Sequence, residues 1–250
     1  MSPADLTSAL MCGMPIALTA GMVHGFDFLL THRSSAPRSR SENCVAPRPR
    51  REAGRASALR VVVAKSPEQL AEAHELVRRR YARRGYALQA IEADGQPARS
   101  PQEITFLVAS DHAPVGTLTL GLDGPSGLLA EGGYGDVIGQ CRTAGHRMCE
   151  LTRLAVAESA DSRTVLAALF SLAHAVARTT DDVTRVVIEV NPRHVAFYCK
   201  MLGFAVAAGE RFCERVRARS VLLALEVGTL EGRIKALEAV VLQPPLAKAA

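Results

Sequence analysis

Hydrophobic residues along this chain follow two alternating spacings from about residue 59 onward. Short runs rich in β-branched residues indicate strands, whereas apolar residues three and four positions apart indicate helices. The predicted strands are 59–64, 104–109, 115–122, 148–156, 183–190, 204–208 and 220–227. The predicted helices are one that begins at Pro67, 136–142, 162–178, one that ends at Leu202, and 229–240. This order predicts an α/β (α+β) protein with a central sheet of about six to seven strands.

The stretch from residue 148 to residue 190 predicts a strand, a helix and a second strand. A connection of this length makes a right-handed crossover that leaves the two strands parallel. The first of these strands carries Glu150 and Arg153, which would point to opposite faces of a regular strand because an odd number of positions separates them. We therefore predict a β-bulge between them, since bulges re-aim side chains next to active sites.

The second strand of the crossover is followed by signals for a short helix. Asn191 can cap the helix, and Pro192 suits its first turn. Gly203 is a typical helix-ending residue, which places the last helical residue at Leu202. Tyr198 falls on the apolar side of this helix, so its ring is predicted to be buried.

The order Asn191, Tyr198, Gly203, Phe204 resembles a pattern found in the later half of GNAT acyltransferases. A closer resemblance is to the N-acyl amino acid synthases, which are bacterial relatives of the acyl-homoserine lactone synthases. The segment 149–156 looks like the Glu-x-x-Arg strand of that family, and the segment 189–198 looks like its following strand and helix. The resemblance covers roughly residues 58 to 227 and does not extend to the first 55.

The resemblance implies a GNAT fold, which is a mixed central sheet with helices on both faces and a splay between two parallel strands. It implies an N-acyltransferase that moves a long-chain acyl group from the thioester of an acyl carrier protein to the α-amine of an amino acid. The co-substrate would be an acyl-phosphopantetheine or an acyl-CoA, and no tightly bound cofactor or metal is expected.

Amide formation from a thioester needs an amine that has lost its proton and a leaving thiol that gains one. Glu150 is the candidate base, and Tyr198 is the candidate acid, as the matching tyrosine often is in GNAT enzymes. A plainer role for Glu150 is an ion pair with Arg153 or Arg147. A plainer role for Tyr198 is that of a core tyrosine.

Three residues are candidates for binding the acceptor. Arg153 would bind the carboxylate of the amino acid in a two-pronged manner or brace Glu150. Arg80 and Tyr86 are loose matches to the arginine-rich first helix of the related families and to the aromatic residue at its end.

Four residues are candidates for binding the acyl-pantetheine arm: Ser162, Arg163, Asn191 and His194. Enzymes that use coenzyme A usually have a basic, glycine-rich loop before the crossover helix. The corresponding segment here, 156–163, has two acids and no glycine. This difference favours an arm that ends in one phosphate, as on an acyl carrier protein, over the pyrophosphate of coenzyme A.

Three other functions compete with this interpretation. An ordinary acetyl-CoA-dependent N-acetyltransferase is disfavoured by the missing glycine loop. An acyl-homoserine lactone synthase that uses S-adenosylmethionine is disfavoured by the weak match in the first helix. A non-catalytic acyl-carrier-binding domain would retain the fold without needing Glu150 or Tyr198 for turnover.

Composition divides the chain into two parts. Residues 1–57 form an extension that is rich in Arg, Pro and Ser and is predicted to be disordered. Residues 58–250 form the predicted acyltransferase domain. Residues 1–60 carry eight Arg and four acids, which leaves 22 basic and 21 acidic residues in the remainder. This near-neutral remainder, with 4% aromatic residues and no Trp, argues against nucleic-acid binding.

Two features of the chain bear on its surroundings. The apolar run at 10–30 is interrupted by Pro15 and three glycines, and only Asp5 is charged before it, so a secretory signal is not expected and membrane contact is a minor alternative. The six cysteines show no Cys-x-x-Cys spacing and no cluster with histidine. Together these features predict a cytoplasmic protein with reduced thiols.

Overall fold

Eight strands form one mixed sheet in the part of the chain that the computed structural model describes, which comprises residues 16–18, 59–86, 103–110, 113–179, 183–230 and 232–234. The strands are β1 Ile16–Leu18, β2 Leu59–Val63, β3 Glu103–Ser110, β4 Ala113–Leu122, β5 Met148–Val156, β6 Arg185–Val190, β7 Ala205–Cys213 and β8 Ala218–Glu226. Their spatial order is β1-β2-β3-β4-β5-β6-β8-β7, and β5 and β6 are the parallel neighbours. Seven of the strands lie beyond residue 57, in agreement with the predicted number.

The strand β1 lies inside the extension that its composition predicts to be disordered. Its backbone pairs in antiparallel fashion with β2. The other residues of the extension lie outside the described part of the chain, as do residues 87–102 and 243–250. The division of the chain at residue 57 stays a prediction.

Helices cover both faces of the sheet, as predicted. They are α1 Pro67–Ala82, α2 Glu131–Thr143, α3 Ser162–Thr179 and a composite segment made of a 3₁₀ turn Pro192–His194, an α-helical turn Val195–Phe197 and a π-helical turn Tyr198–Leu202. The helix α3 packs on the apolar face of β3 and β4, and α1 and α2 lie on the opposite face. Residues 227–230 and 232–234 are also helical, so this helix begins two residues before the predicted terminal helix 229–240. No helix among the described residues is long and apolar enough to cross a membrane.

Alternation along β3, β4 and β5 separates an apolar face from a polar one. Leu120 and Leu151 lie directly opposite each other and belong to the core beneath α3. Thr119 and Thr152 form the next opposed pair and therefore face the other side. The sequence thus leaves a row of polar side chains on the α1 and α2 face of an otherwise apolar sheet.

The predicted splay between β5 and β6 is present. The two strands pair only from Met148–Glu150 to Arg185–Val187. Beyond Val187, β6 stays paired with β8 as far as Val190, while β5 stays with β4. The facing edges of β5 and β6 therefore separate immediately after Glu150.

The β-bulge predicted between Glu150 and Arg153 is present and lies next to Arg153. Pairing with β4 is regular through Thr152 and resumes at Ala155, with one residue too many on the β5 side. Arg153 has φ of 52°, a left-handed conformation that is uncommon for a residue other than glycine. The bulge turns β5 away from β6 and re-aims the side chain of Arg153.

Two predicted elements needed correction. The charged segment 210–219, which lies between the predicted strands 204–208 and 220–227, instead extends β7 and β8 into a long hairpin. Its charges are tolerated because β7 is an edge strand and because Arg211 forms an ion pair with Asp136. The helix α2 begins at Glu131 rather than near Asp136, because the buried Tyr134 anchors a first turn whose glycines give little helical signal.

Candidate active site

A pocket of about 450 Å³ opens on the polar face of the sheet, beneath the segment that leads into α2. Glu103, Gly121 and Glu150 form one cross-strand row at its base, and Thr152 lies beside them. Gly121 has no side chain between the two glutamates, which keeps this row open. The pocket therefore lies where β5 begins to separate from β6.

Glu150 is the buried carboxylate of this pocket, with 1% of its surface exposed. Its Oε2 accepts a hydrogen bond of 3.3 Å from the backbone N–H of Ala130, and its Oε1 has no hydrogen-bond partner among the described residues. Burial raises the pKa of Glu150 to about 7, against the opposing effect of the nearby Arg215 guanidinium. A carboxyl group with this pKa exchanges a proton readily near neutral pH.

Arg153 does not pair with Glu150. Its Nη1 lies 2.8 Å from Oε2 of Glu103, and both side chains are largely buried. Arg147 contacts Thr184 through its backbone. The plainer role of Glu150 as the partner of Arg153 or Arg147 is therefore not observed among the described contacts.

The guanidinium next to Glu150 comes instead from Arg215, in the turn between β7 and β8. Arg215 forms an ion pair with Glu189, whose other oxygen accepts a 2.7 Å hydrogen bond from the hydroxyl of Ser220. Glu189 follows Val187 by two residues and so faces the same side of β6, across the splay from β5. Sequence reasoning missed both residues of this pair, and only the strand register could have indicated Glu189.

Tyr198 lies in the π-helical turn after β6 and is 8% exposed. Its ring packs edge-on against Phe197 and Phe204, with centroid separations of 5.2 Å and 6.1 Å. Burial raises the pKa of Tyr198, the nearby Tyr81 adds to this effect, and Arg84 opposes it. The hydroxyl therefore keeps its proton at neutral pH and can donate it.

Tyr81, near the end of α1, links the two halves of the site. Burial raises the pKa of Tyr81 to about 12, and the charges of Arg215 and Arg153 on the pocket side oppose this shift. The charge of Arg84 acts in the same way, and Tyr81 in turn affects the pKa of Tyr198. The pKa of Tyr81 is therefore sensitive to charges on both sides of the site.

Tyr86 and His194, which were predicted to bind acceptor and arm respectively, belong to one cluster with two arginines. Nη1 of Arg84 lies 3.1 Å from Nε2 of His194, and Nε of Arg193 lies 3.2 Å from the same nitrogen. Arg193 also donates a 2.7 Å hydrogen bond from Nη2 to the hydroxyl of Tyr86.

The remaining predicted residues lie apart from the pocket. Arg80 forms an ion pair with Glu158 in the loop between β5 and α3. Asp161 caps α3, because its carboxylate accepts from the backbone N–H of Arg163 at 3.3 Å, and Ser162 is the first helical residue. Asn191 accepts from the backbone N–H of Arg193 at 3.2 Å, as a cap does, and its amide also donates to a backbone oxygen of β8.

Cys149 points away from Glu150 into the core beneath α3, and burial raises the pKa of its thiol to about 12. A thiol in this state is a poor nucleophile at neutral pH. Among the described residues, no group of three or more His, Cys, Asp and Glu side chains could hold a metal ion.

Comparison with known proteins places this arrangement in a family. The model of the family "N-acyl amino acid synthase FeeM" matches residues 72–226, which is more than half of the chain. The solved structure of FeeM, an N-acyl amino acid synthase from uncultured soil microbes, is 23% identical, with a TM-score of 0.64 over 71% of this chain and 96% of that one. No curated protein matches the sequence.

More distant similarity extends to other solved structures. The acyl-homoserine lactone synthase LasI is 19% identical, with a TM-score of 0.49 over 70% of this chain and 96% of LasI. ElaA from Escherichia coli is 12% identical, with a TM-score of 0.45 over 66% of this chain and 97% of ElaA. The chain belongs to the family of N-acyl amino acid synthase FeeM, and it is an acyltransferase with the GNAT fold.

Proposed function

We propose that this chain transfers a long-chain acyl group from the thioester of an acyl carrier protein to the α-amine of an amino acid. The observation that carries the proposal is the buried Glu150, which lines a pocket beside the splay and whose Oε1 has no hydrogen-bond partner in the part of the chain that the structure describes. A carboxyl group is costly to bury without partners, so its retention there supports a role in proton transfer.

The splay can hold the pantetheine arm. Past Glu150 and Val187, the facing edges of β5 and β6 no longer pair with each other. Their unpaired backbone groups can bind the amides of the arm, which would lie between the strands like an additional strand. In this position the thioester would reach the end of the splay, with Glu150 on one side and Tyr198 on the other.

Glu150 and Tyr198 then divide the proton transfers. The carboxylate of Glu150 takes a proton from the acceptor's ammonium group, and the free amine attacks the thioester carbonyl. The new C–N bond forms, the C–S bond breaks, and the departing thiolate takes the phenolic proton of Tyr198. Glu150 removes the remaining proton from the amide nitrogen once its first proton has passed to solvent, and Tyr198 recovers its own proton from solvent.

The start of α3 supports a carrier protein, rather than coenzyme A, as the donor. Asp161 already accepts from the backbone N–H of Arg163, one of the groups that would bind a phosphate, whereas Glu158 is paired with Arg80 and Arg83. The carboxylate of Asp161 would repel a pyrophosphate more strongly than the phosphodiester of a carrier-bound arm. An acetyl-CoA-dependent activity is therefore the weaker candidate.

The test is to express the full chain in a bacterial host, extract the lipids and search by mass spectrometry for acylated amino acids. We expect long-chain N-acyl amino acids, whose yield falls roughly 100-fold in Glu150→Gln because a general base contributes at least this much. Tyr198→Phe should also reduce the yield. Unchanged yields would remove both residues from the mechanism, and recovery of only acetylated amines would contradict the proposed substrate.

A further inference from the structure

Two guanidinium groups converge on one imidazole where α1 ends and β6 gives way to its helical segment. Arg84 contacts Nε2 of His194 through one of its terminal nitrogens at 3.1 Å, and Arg193 contacts the same atom through Nε at 3.2 Å. Guanidinium groups only donate hydrogen bonds, so Nε2 must be the acceptor and the ring proton lies on Nδ1. Burial and the two arginines lower the pKa of His194 to about 4, so the imidazole is neutral.

Neither arginine of this cluster has an acidic partner. Within the described part of the chain, no carboxylate lies within 4.0 Å of Arg84 or Arg193, whereas Arg80, Arg153 and Arg215 each form an ion pair. Burial and the charge of Arg193 both lower the pKa of Arg84. Two positive charges around a neutral acceptor are unfavourable unless an anion joins them.

The arginines also retain donors for such an anion. Among the described contacts, the side chain of Arg84 uses only Nη1, and that of Arg193 uses Nε and Nη2. A guanidinium has five N–H groups. Donors on both residues therefore remain available to an oxyanion lying between them.

The position of the cluster indicates which anion it would bind. His194, which Arg84 contacts, precedes Tyr198 by four residues in the same composite helical segment, so the cluster lies next to Tyr198. In the proposed reaction Tyr198 meets the sulfur of the thioester, and the attacking amine lies within bonding distance of the adjacent carbonyl carbon. Only one carbon separates this amine from the α-carboxylate of an amino acid, so that carboxylate must lie near the same place.

We propose that Arg84 and Arg193, held together by His194, bind the α-carboxylate of the acceptor amino acid. This inference rests on the proposed function. It assigns the acceptor's carboxylate to two arginines that have no counter-ion among the described residues, instead of to Arg153, whose guanidinium is already neutralised by Glu103. The phosphate of the arm is the less suitable anion, since the full length of the pantetheine separates it from the sulfur.

The test compares two probes that differ only in the carboxylate. N-dodecanoylglycine has the groups that all N-acyl amino acids share, and N-methyldodecanamide lacks the carboxylate. Calorimetry on the full chain should show that N-dodecanoylglycine binds about tenfold more tightly or better, as expected for a charge-assisted pair. Arg84→Gln and Arg193→Gln should each reduce this preference, and the double variant should bring it to within about twofold.

Arg178→Gln is the matched control, because this arginine is exposed at the far end of α3 and should leave the preference unchanged. Arg84→Lys keeps the positive charge, so this variant, when folded, should retain part of the preference for N-dodecanoylglycine. An unchanged preference in the double variant would overturn the inference. So would a loss of affinity for pantetheine 4′-phosphate, but not for pantetheine, in the same variant, because the cluster would then be a phosphate site.

The two proposals fail in different ways. The binding comparison does not require turnover, so the carboxylate site could be established even if no acylated amino acid is found in the host. Conversely, a host extract rich in N-acyl amino acids, together with equal binding of the two probes, would support the activity and reject this site.

Discussion

Glu150 illustrates how burial, without a charged partner of its own, can adapt a carboxyl group to its task. The opposing charge of Arg215 keeps its pKa from rising further, and Glu189 has the opposite effect. The sequence motif predicts a candidate base at this position. It does not indicate that the modulating guanidinium comes from the β7–β8 turn, because this contact depends on how the hairpin folds across β6.

The pH dependence of turnover should reveal this arrangement. The rate constant kcat/KM should rise with pH as Glu150 loses its proton, with a midpoint near pH 7. Arg215→Gln should shift this midpoint to higher pH, because it removes the charge that stabilises the carboxylate. The double variant Arg215→Gln/Glu189→Gln, which also removes the second carboxylate, should shift it less. A midpoint that does not move in Arg215→Gln would show that Arg215 has no electrostatic influence on the base.

Stability should also depend on the protonation of Glu150. The folded protein holds this proton to about pH 7, whereas an unfolded chain releases it near the ordinary pKa of a glutamate, 4.5. The raised pKa therefore contributes stability that is fully present below pH 4.5 and is lost as the pH rises through 7. The free energy of unfolding should fall, relative to that of Glu150→Gln, by roughly 3 kcal/mol over this interval. Urea denaturation of both proteins at pH 5 and pH 8 measures the difference, and parallel pH dependences would contradict it.

At the scale of elements, local patterns predicted most of the fold. The bounds of β5, the cap of α1 and the end of the composite helix at Gly203 all agree with the sequence, because capping residues and strand alternation act over a few positions. The full length of the β7–β8 hairpin and the first turn of α2 were not predicted from the sequence. Charged and glycine-rich segments acquire their structure from tertiary contacts, such as that of Arg211 with Asp136.

The packing of α3 on the sheet depends on one glycine. A Cβ at Gly116 would lie 2.2 Å from Cγ1 of Val165, whereas a Cβ at Gly139 in α2 would meet nothing within 4 Å. Gly116→Ala should therefore lower the free energy of unfolding by about 1–3 kcal/mol, the usual effect of overpacking. Gly139→Ala should raise it by up to about 1 kcal/mol, because alanine favours the helix. Chemical denaturation measures the free energy of unfolding of both variants. Equal changes in Gly116→Ala and Gly139→Ala would contradict this packing argument.

At the scale of the whole molecule, the donor preference should follow from the acid at the start of α3. The full chain should use a dodecanoyl group on an acyl carrier protein with a kcat/KM at least about tenfold above that for dodecanoyl-CoA. The variant Asp161→Asn should narrow the gap by improving the use of the CoA thioester, since a negative charge near the pyrophosphate is removed. Steady-state rates with both donors test this. A wild-type protein that prefers the CoA thioester would reject the interpretation.

The outer border of the sheet at β7 has a consequence for how the protein behaves when concentrated. A free strand edge can recruit the same strand of another chain and begin a fibril. Here the ladder between β7 and β8 is broken by two register shifts, and Glu210 and Arg211 place charges on the border. An incoming chain would meet a bent, charged edge. This border should therefore resist edge-to-edge aggregation despite the exposed Val206 and Phe212.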